Sequence, residues 1–375
     1  MQEYRLEDVM SENDREISEV DTSNLVKEFF LGEFVFDQLI YTPKEEKSNL
    51  ELADVLISYA DIVIGFQIKE RKTTNGRSEK SWMEDLTKKA KHQVSDTLRQ
   101  LNEYNLPQFK NRYDENIKLP KEGKFMGIIV LKNSNLEGYK RVVTTKEYDG
   151  NINCFEYEDF CKCCKRLLLP QEIIEYLVYR GSVCRQNVIS SMNEEDLLDE
   201  YLMKKYGTTQ FINTTIDIFR KTLKEFKNHA IDKTKEYENR EILSVLLKMD
   251  RHEAELYCKL LGKTINYAKD KIQQEDLMLM PLRKEKTAHI FISLLEYRHD
   301  YIERIMTIFM YLKKVNRCLA TVVCFENQEQ FAVYHYFKEK EWDYDEILKE
   351  ICDDPIIKQK WNPRKQTTGK YLPAD

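Results

Sequence analysis

Two short apolar runs stand out in the first third of the chain. Leu52-Ala53-Asp54-Val55-Leu56-Ile57 is followed, after Ser58 to Asp61, by Ile62-Val63-Ile64-Gly65-Phe66-Gln67-Ile68-Lys69. Their length and β-branched content predict two adjacent strands. Strand side chains alternate faces, so Gln67 and Lys69 point one way while Phe66 and Ile68 point the other. A hairpin of the two strands brings Asp54 into the same small volume. If the first strand is regular, Glu51, three residues before Asp54, faces away from it, and Glu70 likewise opposes Lys69.

The surrounding pattern supplies the neighbours. Residues 1–21 read as irregular. A helix begins near Asn24, capped by Asp21 or Ser23, with Leu25, Phe29 and Phe30 on its apolar side. The segment from Phe34 to Ile40 predicts a first strand, and 43–49 a charged turn. Residues 73–81, with Asn75 and Gly76, read as a loop. From 82 to 104, Leu86, Ala90, Val94, Leu98 and Leu101 recur at helical spacing on one face. The continuous apolar run 125–131 predicts a strand covered on both faces, and 141–145 an edge strand.

Beyond residue 157 helices dominate to about 314: one from Pro170 to about Gly181, then 197–206, 215–232, 240–262 and 290–315. Residues 318–325 and 331–336 predict a late hairpin, and 362–369 a surface tail. The expected organisation is therefore an irregular segment 1–21, an α/β unit at 22–150 and a mostly helical region at 151–375 that serves accessory, target-recognition or oligomerisation roles.

Composition narrows the class. The 375 residues are 42% hydrophobic and 33% charged, and no run of 18 apolar residues suggests a membrane span. The acidic N-terminus lacks the basic and apolar regions of a signal peptide, so a cytoplasmic location is expected. Nine cysteines, an odd number, fit reduced thiols. Cys154, Cys161, Cys163 and Cys164 lack the paired spacing of a structural zinc site. The net charge of −6 excludes a uniformly basic coat for nucleic acid. A local basic run remains at Lys69, Arg71, Lys72, Arg77, Lys80, Lys88, Lys89 and Lys91, which reads either as a solvated face or as a phosphate-tracking surface.

Asp54 offers a hard anionic oxygen suited to Mg2+ or Mn2+. The Gln67 side-chain oxygen and the Ile68 backbone carbonyl are neutral donors close by. Lys69 could orient or deprotonate a water and offset phosphate charge. A further carboxylate is sought on the preceding helix, where Glu28 is preferred over Glu33. Asp54 followed by Gln67-Ile68-Lys69 resembles the PD-(D/E)xK nuclease superfamily, in its Q-x-K variation similar to the Mrr-like branch. Ala53 stands where that pattern has proline.

The resemblance covers residues 22–150 and implies a restriction-endonuclease-like mixed sheet flanked by helices, with divalent-metal-dependent hydrolysis of DNA in restriction or anti-phage defence. It also implies that the extra acidic residue sits on the first helix, and that Lys88, His92 and Gln93 on the later helix touch substrate or support the site. Arg71, Lys72 and Arg77 are further candidate contacts to nucleic acid. Expected partners are DNA, with RNA as an alternative substrate, a second copy of the chain, and a protein partner through residues 190–315. The competing readings are a noncatalytic nucleic-acid-binding or assembly subunit on the same fold, and a helical recruiting subunit.

Overall fold

The computed structural model describes residues 17–37, 39–42, 49–59, 61–70, 79–103, 106–111, 116–117, 119–120, 123–132, 141–146, 150–185, 192–229, 236–279, 287–325, 331–355 and 357. The chain forms a mixed α/β fold in two compact units: Met1–Asn213 with Leu247–Asp250, and Thr214–Leu246 with Arg251–Asp375. The first unit extends well past residue 150, because the next strand and the helices after it complete its sheet.

That unit opens with α1 (Ile17–Phe30), β1 (Val35–Asp37), β2 (Ile40–Tyr41), β3 (Leu50–Glu51), β4 (Val55–Tyr59) and β5 (Ile62–Glu70). It continues with α2 (Glu79–Glu103), β6 (Phe109–Lys110), β7 (Asn116–Ile117), β8 (Lys124–Lys132), β9 (Val142–Val143), β10 (Ile152–Glu156), α3 (Tyr157–Leu167), α4 (Pro170–Arg185) and α5 (Glu194–Tyr206). The main sheet has the order β1-β4-β5-β8-β10-β9. β4 is antiparallel to β1 and β5, while β5, β8 and β10 run parallel and β9 closes the edge antiparallel. The parallel step from β5 to β8 needs a crossover, and α2 provides it.

The two faces of the sheet are covered differently. Paired residues share a face, so Val55 with Phe66 and Ile57 with Ile64 lie together. Phe66 packs 5.7 Å from Phe160 of α3, and Tyr59 meets Phe30 and Phe34 at the end of α1. α1 and α3 thus cover this face. On the opposite face, Leu56 and Val63 share a core with Leu101 of α2, and Ile129 and Ile152 pack against Ala90 and Val94. Gly65 and Gly127 pair across β5 and β8 beneath α2. A Cβ at Gly127 would lie 2.5 Å from Val94 Cγ1, so this glycine lets the helix settle close to the sheet.

Two local anchors matter for the site. Glu70 Oε2 accepts the Ser18 N–H at 3.2 Å, fastening the first turn of α1 to the end of β5. Arg180 of α4 is fully buried and uses all five of its donors, on both Glu194 oxygens, Arg141 O, Asn153 Oδ1 and Cys154 O. Tyr176 adds a 2.5 Å bond to Glu194. This network locks α4 and the start of α5 onto β10, which is why residues past 150 belong to the first unit.

The second unit contains α6 (Thr214–His229), α7 (Glu236–Leu247), α8 (Arg251–Lys269), β11 (Gln274–Leu279), β12 (Thr287–Leu294), α9 (His299–Lys313), β13 (Arg317–Phe325), β14 (Phe331–Glu339) and α10 (Glu346–Asp353). Its sheet has the order β11-β12-β13-β14, with β12 and β13 parallel and joined by α9. Met306 and Phe309 of α9 pack on Ile290, Ile292, Ala320 and Val322. Tyr257 of α8 covers the other face against His289 and Phe291, each at 5.3 Å.

Several expected elements are redrawn. α1 starts at Ile17, inside the segment expected to be irregular, because Glu70 supplies its N-terminal cap from another strand. The expected strand from Phe34 to Ile40 is split between β1 and β2, and β2 leaves the main sheet to pair with β3. The expected helix 240–262 is broken between α7 and α8 at residues 248–250. The expected helix 290–315 is instead β12 followed by α9, since a short apolar run suits either state and parallel pairing with β13 selects the strand. β11 was not anticipated, whereas the late hairpin is β13–β14.

Candidate active site

The β4–β5 hairpin is antiparallel, and its register, Val55 with Phe66, sets Asp54 beside Gln67 just before the start of β4. Asp54 is 5% exposed. Its Oδ2 accepts the Ile68 N–H at 2.5 Å and lies 3.3 Å from Lys69 Nζ. Since a strand residue projects its N–H and C=O to the same side, the Ile68 carbonyl is also directed toward the Asp54 edge. Thr97 Oγ1 of α2 lies 2.5 Å from Leu52 O and fixes the backbone two residues ahead of Asp54. The expected convergence of Asp54 and Lys69 is therefore present.

Gln67 is 3% exposed, and its Oε1 has no hydrogen-bond partner among the described residues. A buried amide oxygen without a donor is costly, so this atom marks a place where a cation or a donor completes the wall. The same side chain lines a cleft of about 240 Å3 together with Leu50, Glu51, Gln93, Asp96, Arg99 and Gln100. Gln93, Asp96 and Gln100 follow one another at helical spacing along a stripe of α2. Tyr41 donates to Gln100 Oε1 at 2.9 Å and orients that amide.

Glu51 lies in this cleft rather than away from the site. Strand alternation does not carry through residues 52–54, which are not strand, and β3 pairs with β2 outside the main sheet. Glu28 is not brought to the site: it is exposed on α1, which packs on the other face of the sheet and ends beside Tyr59, far along β5 from Lys69. Glu33 follows that same end of α1, where its backbone carbonyl accepts from Asn111. Glu70 is committed to α1, as its opposing direction required.

Among the helix candidates, Gln93 reaches the cleft, whereas Lys88 and His92 are exposed. Arg71, Lys72 and Arg77 lie outside the described residues. Asp96, Arg99 and Gln100 were missed, although their spacing from Gln93 was readable. Among the described residues no three histidine, cysteine or acidic side chains form a metal-holding cluster. The donors at hand are one carboxylate, an amide oxygen and a backbone carbonyl. All nine cysteines are free thiols. Burial, opposed by the charge of Arg180, pushes the Cys154 thiol up to about 12, which makes it inert.

No family model and no curated protein matches the chain. Among solved structures, it is similar to a protein described as "Crystal structure of SSO0001", at 12% identity and a TM-score of 0.17, over 39% of this chain and 86% of that one. A likeness of that quality carries no argument about fold or function.

Proposed function

We propose that the first unit is a divalent-metal-dependent nuclease that hydrolyses phosphodiester bonds in DNA. The observation that carries this reading is the joint placement of Asp54, Ile68 and Lys69 at one strand end beside the buried, unpartnered oxygen of Gln67. In the main sheet, the order of helix, three antiparallel strands, crossover helix and parallel strand is compatible with what the PD-(D/E)xK resemblance implies and supports the reading.

The hard oxygens of Asp54, Gln67 and Ile68 suit Mg2+ or Mn2+ and would hold such a cation. Bound there, it would supply Lewis-acid stabilisation of the phosphate oxygens. Lys69 has a distinct task. Its ammonium, held by Asp54 yet one-fifth exposed, faces solvent from which a phosphate can approach, and it orients a water and balances charge developing on the phosphate. Asp54 fixes Lys69 and the strand end together, so the site is preorganised by the hairpin.

The test is incubation of plasmid, linear duplex, single-stranded DNA and RNA with the protein in Mn2+ or in chelator. Cleavage that requires the cation and disappears in Asp54→Ala and Lys69→Ala, both still folded, supports the reading. An identical product pattern from wild type and both variants overturns it. The RNA arm decides the substrate sugar.

A further inference from the structure

The cleft beside Gln67 is larger than an ion site and carries the wrong charge for a phosphate. Its volume, about 240 Å3, far exceeds the roughly 10–15 Å3 that one water needs. Its ionic side chains are Glu51, Asp96 and Arg99, and the Arg99 guanidinium is divided between Asp96 at 3.4 Å and Glu103 at 3.9 Å. An anion entering the cleft therefore meets a carboxylate surplus. The remaining polar groups are three carboxamides, Gln67, Gln93 and Gln100, and Leu50 forms an apolar wall.

Paired donors and acceptors in amides, with a guanidinium and carboxylates, are the groups that read the heteroatom edge of a base. The cleft is too large for an ion alone, and a flat, polar heterocycle satisfies this lining better than a phosphate or an apolar ligand. We propose that the cleft bounded by β3, β5 and α2 receives a single nucleobase. The inference rests on the nuclease reading and deepens it. Gln67 and Lys69 lie two residues apart on one face of β5, about 7 Å along the strand, so a base in the cleft sits one nucleotide's reach from the phosphate at Lys69. Gln67 is the shared wall, and its amide can present oxygen to a cation and N–H to the base. A glutamate there would lack the donor.

The test measures binding without hydrolysis. Single-stranded DNA and RNA oligonucleotides, each with one abasic residue stepped through successive positions, are titrated into the full chain in chelator, beside free adenosine, guanosine, cytidine and uridine. Wild type is expected to lose about tenfold or more in affinity when one particular base is removed. Gln93→Leu and, separately, the exposed Arg99→Leu are expected to bind the intact strand more weakly and to erase most of that positional loss. Displacement of the strand by a free nucleoside, weakened by the same substitutions, identifies a free base as the occupant and also supports the proposal. An affinity indifferent to base removal at every position, with no nucleoside bound, overturns it, as does an undiminished positional loss in both folded variants. The nuclease reading fails on a different result, cleavage that survives Asp54→Ala and Lys69→Ala.

Discussion

Lys69 Nζ stands 3.3 Å from Asp54 Oδ2, and the same oxygen accepts the N–H of the residue before the lysine. The two contacts differ in what they do for the fold. The lysine side chain is 20% exposed and the aspartate side chain only 4%, so losing the lysine leaves a buried charge that still accepts from Ile68 and takes water in place of the ammonium, whereas removing the acceptor leaves an N–H unpaired at roughly 1–3 kcal/mol. Lys69→Met is therefore expected to abolish cleavage with a smaller loss of stability than Asp54→Ala. Asp54→Ala should lose both, and Asp54→Asn should keep most of the stability because an amide oxygen still accepts from Ile68. Urea unfolding of the three variants checks this order. Equal destabilisation by Lys69→Met and Asp54→Ala contradicts it.

Gln67→Glu restores the acidic residue of the PD-(D/E)xK pattern, yet it adds a buried carboxylate to a cleft that already holds Glu51 and Asp96. Without a cation, desolvation and like charge make the variant less stable than wild type at neutral pH. A bound cation reverses this, so Mn2+ should raise the melting temperature of Gln67→Glu more than that of wild type. Thermal melts in chelator and in Mn2+ measure the difference. Identical Mn2+ shifts argue against a cation at Gln67.

Gly127→Ala places a methyl group 2.5 Å from Val94 Cγ1, while at Gly65 the nearest atoms of the Phe125 ring are 3.1 Å away. Overpacking costs about 1–3 kcal/mol when backbone must move. The Gly127 substitution should therefore destabilise more than Gly65→Ala. Lifting α2 also displaces Thr97 from Leu52 and Gln93 from the cleft, so activity should fall beyond what unfolding explains. Denaturation midpoints and specific activity of the folded fraction report the two effects.

Acid affects the second unit early. Burial, helped by the charge of His335, pushes His289 down to about 3, and burial pushes His335 down to about 4. His289 Nε2 meets Thr321 Oγ1 at 3.1 Å, and Tyr257 OH meets His335 Nε2 at 3.0 Å. In the unfolded chain both imidazoles take up protons near pH 6.5. The unfolded state therefore binds more protons from about 6.5 down to about 3, and stability is full above that window and falls through it. In the first unit burial works against the Glu194 carboxylate, but the charge and bonds of Arg180 outweigh it and hold it below the usual range. Its contribution is lost only below about pH 4.3, as the pH falls through the lowered value. Hydrogen exchange followed by mass spectrometry from pH 7 to 4 should show the strands around His289 losing protection before α4. The reverse order contradicts the prediction.

Much of this arrangement was readable along the chain. The two apolar runs of β4 and β5 alternate faces along each strand, which sets Lys69 and Gln67 on one side with Asp54 within reach. The stripe on α2 and the apolar run of β8 were equally legible. Local regularity is a poor guide where the chain breaks it. Residues 52–54 are irregular, so strand alternation does not place Glu51, and no local pattern says which face of the sheet α1 covers, so helix spacing does not place Glu28.

The sequence by itself determined the strand periodicity, the hairpin and the chemical types gathered at its end, because these depend on neighbours within a few residues. Tertiary structure decided the rest: the face taken by α1, the capture of α1 by Glu70, the pairing that turned residues 287–294 into a strand, and the reach of β10 and α4 into the first unit. Those outcomes depend on partners tens of residues away, such as Glu70 for Ser18 and Arg317 for Thr287, and no local pattern encodes which distant partner wins.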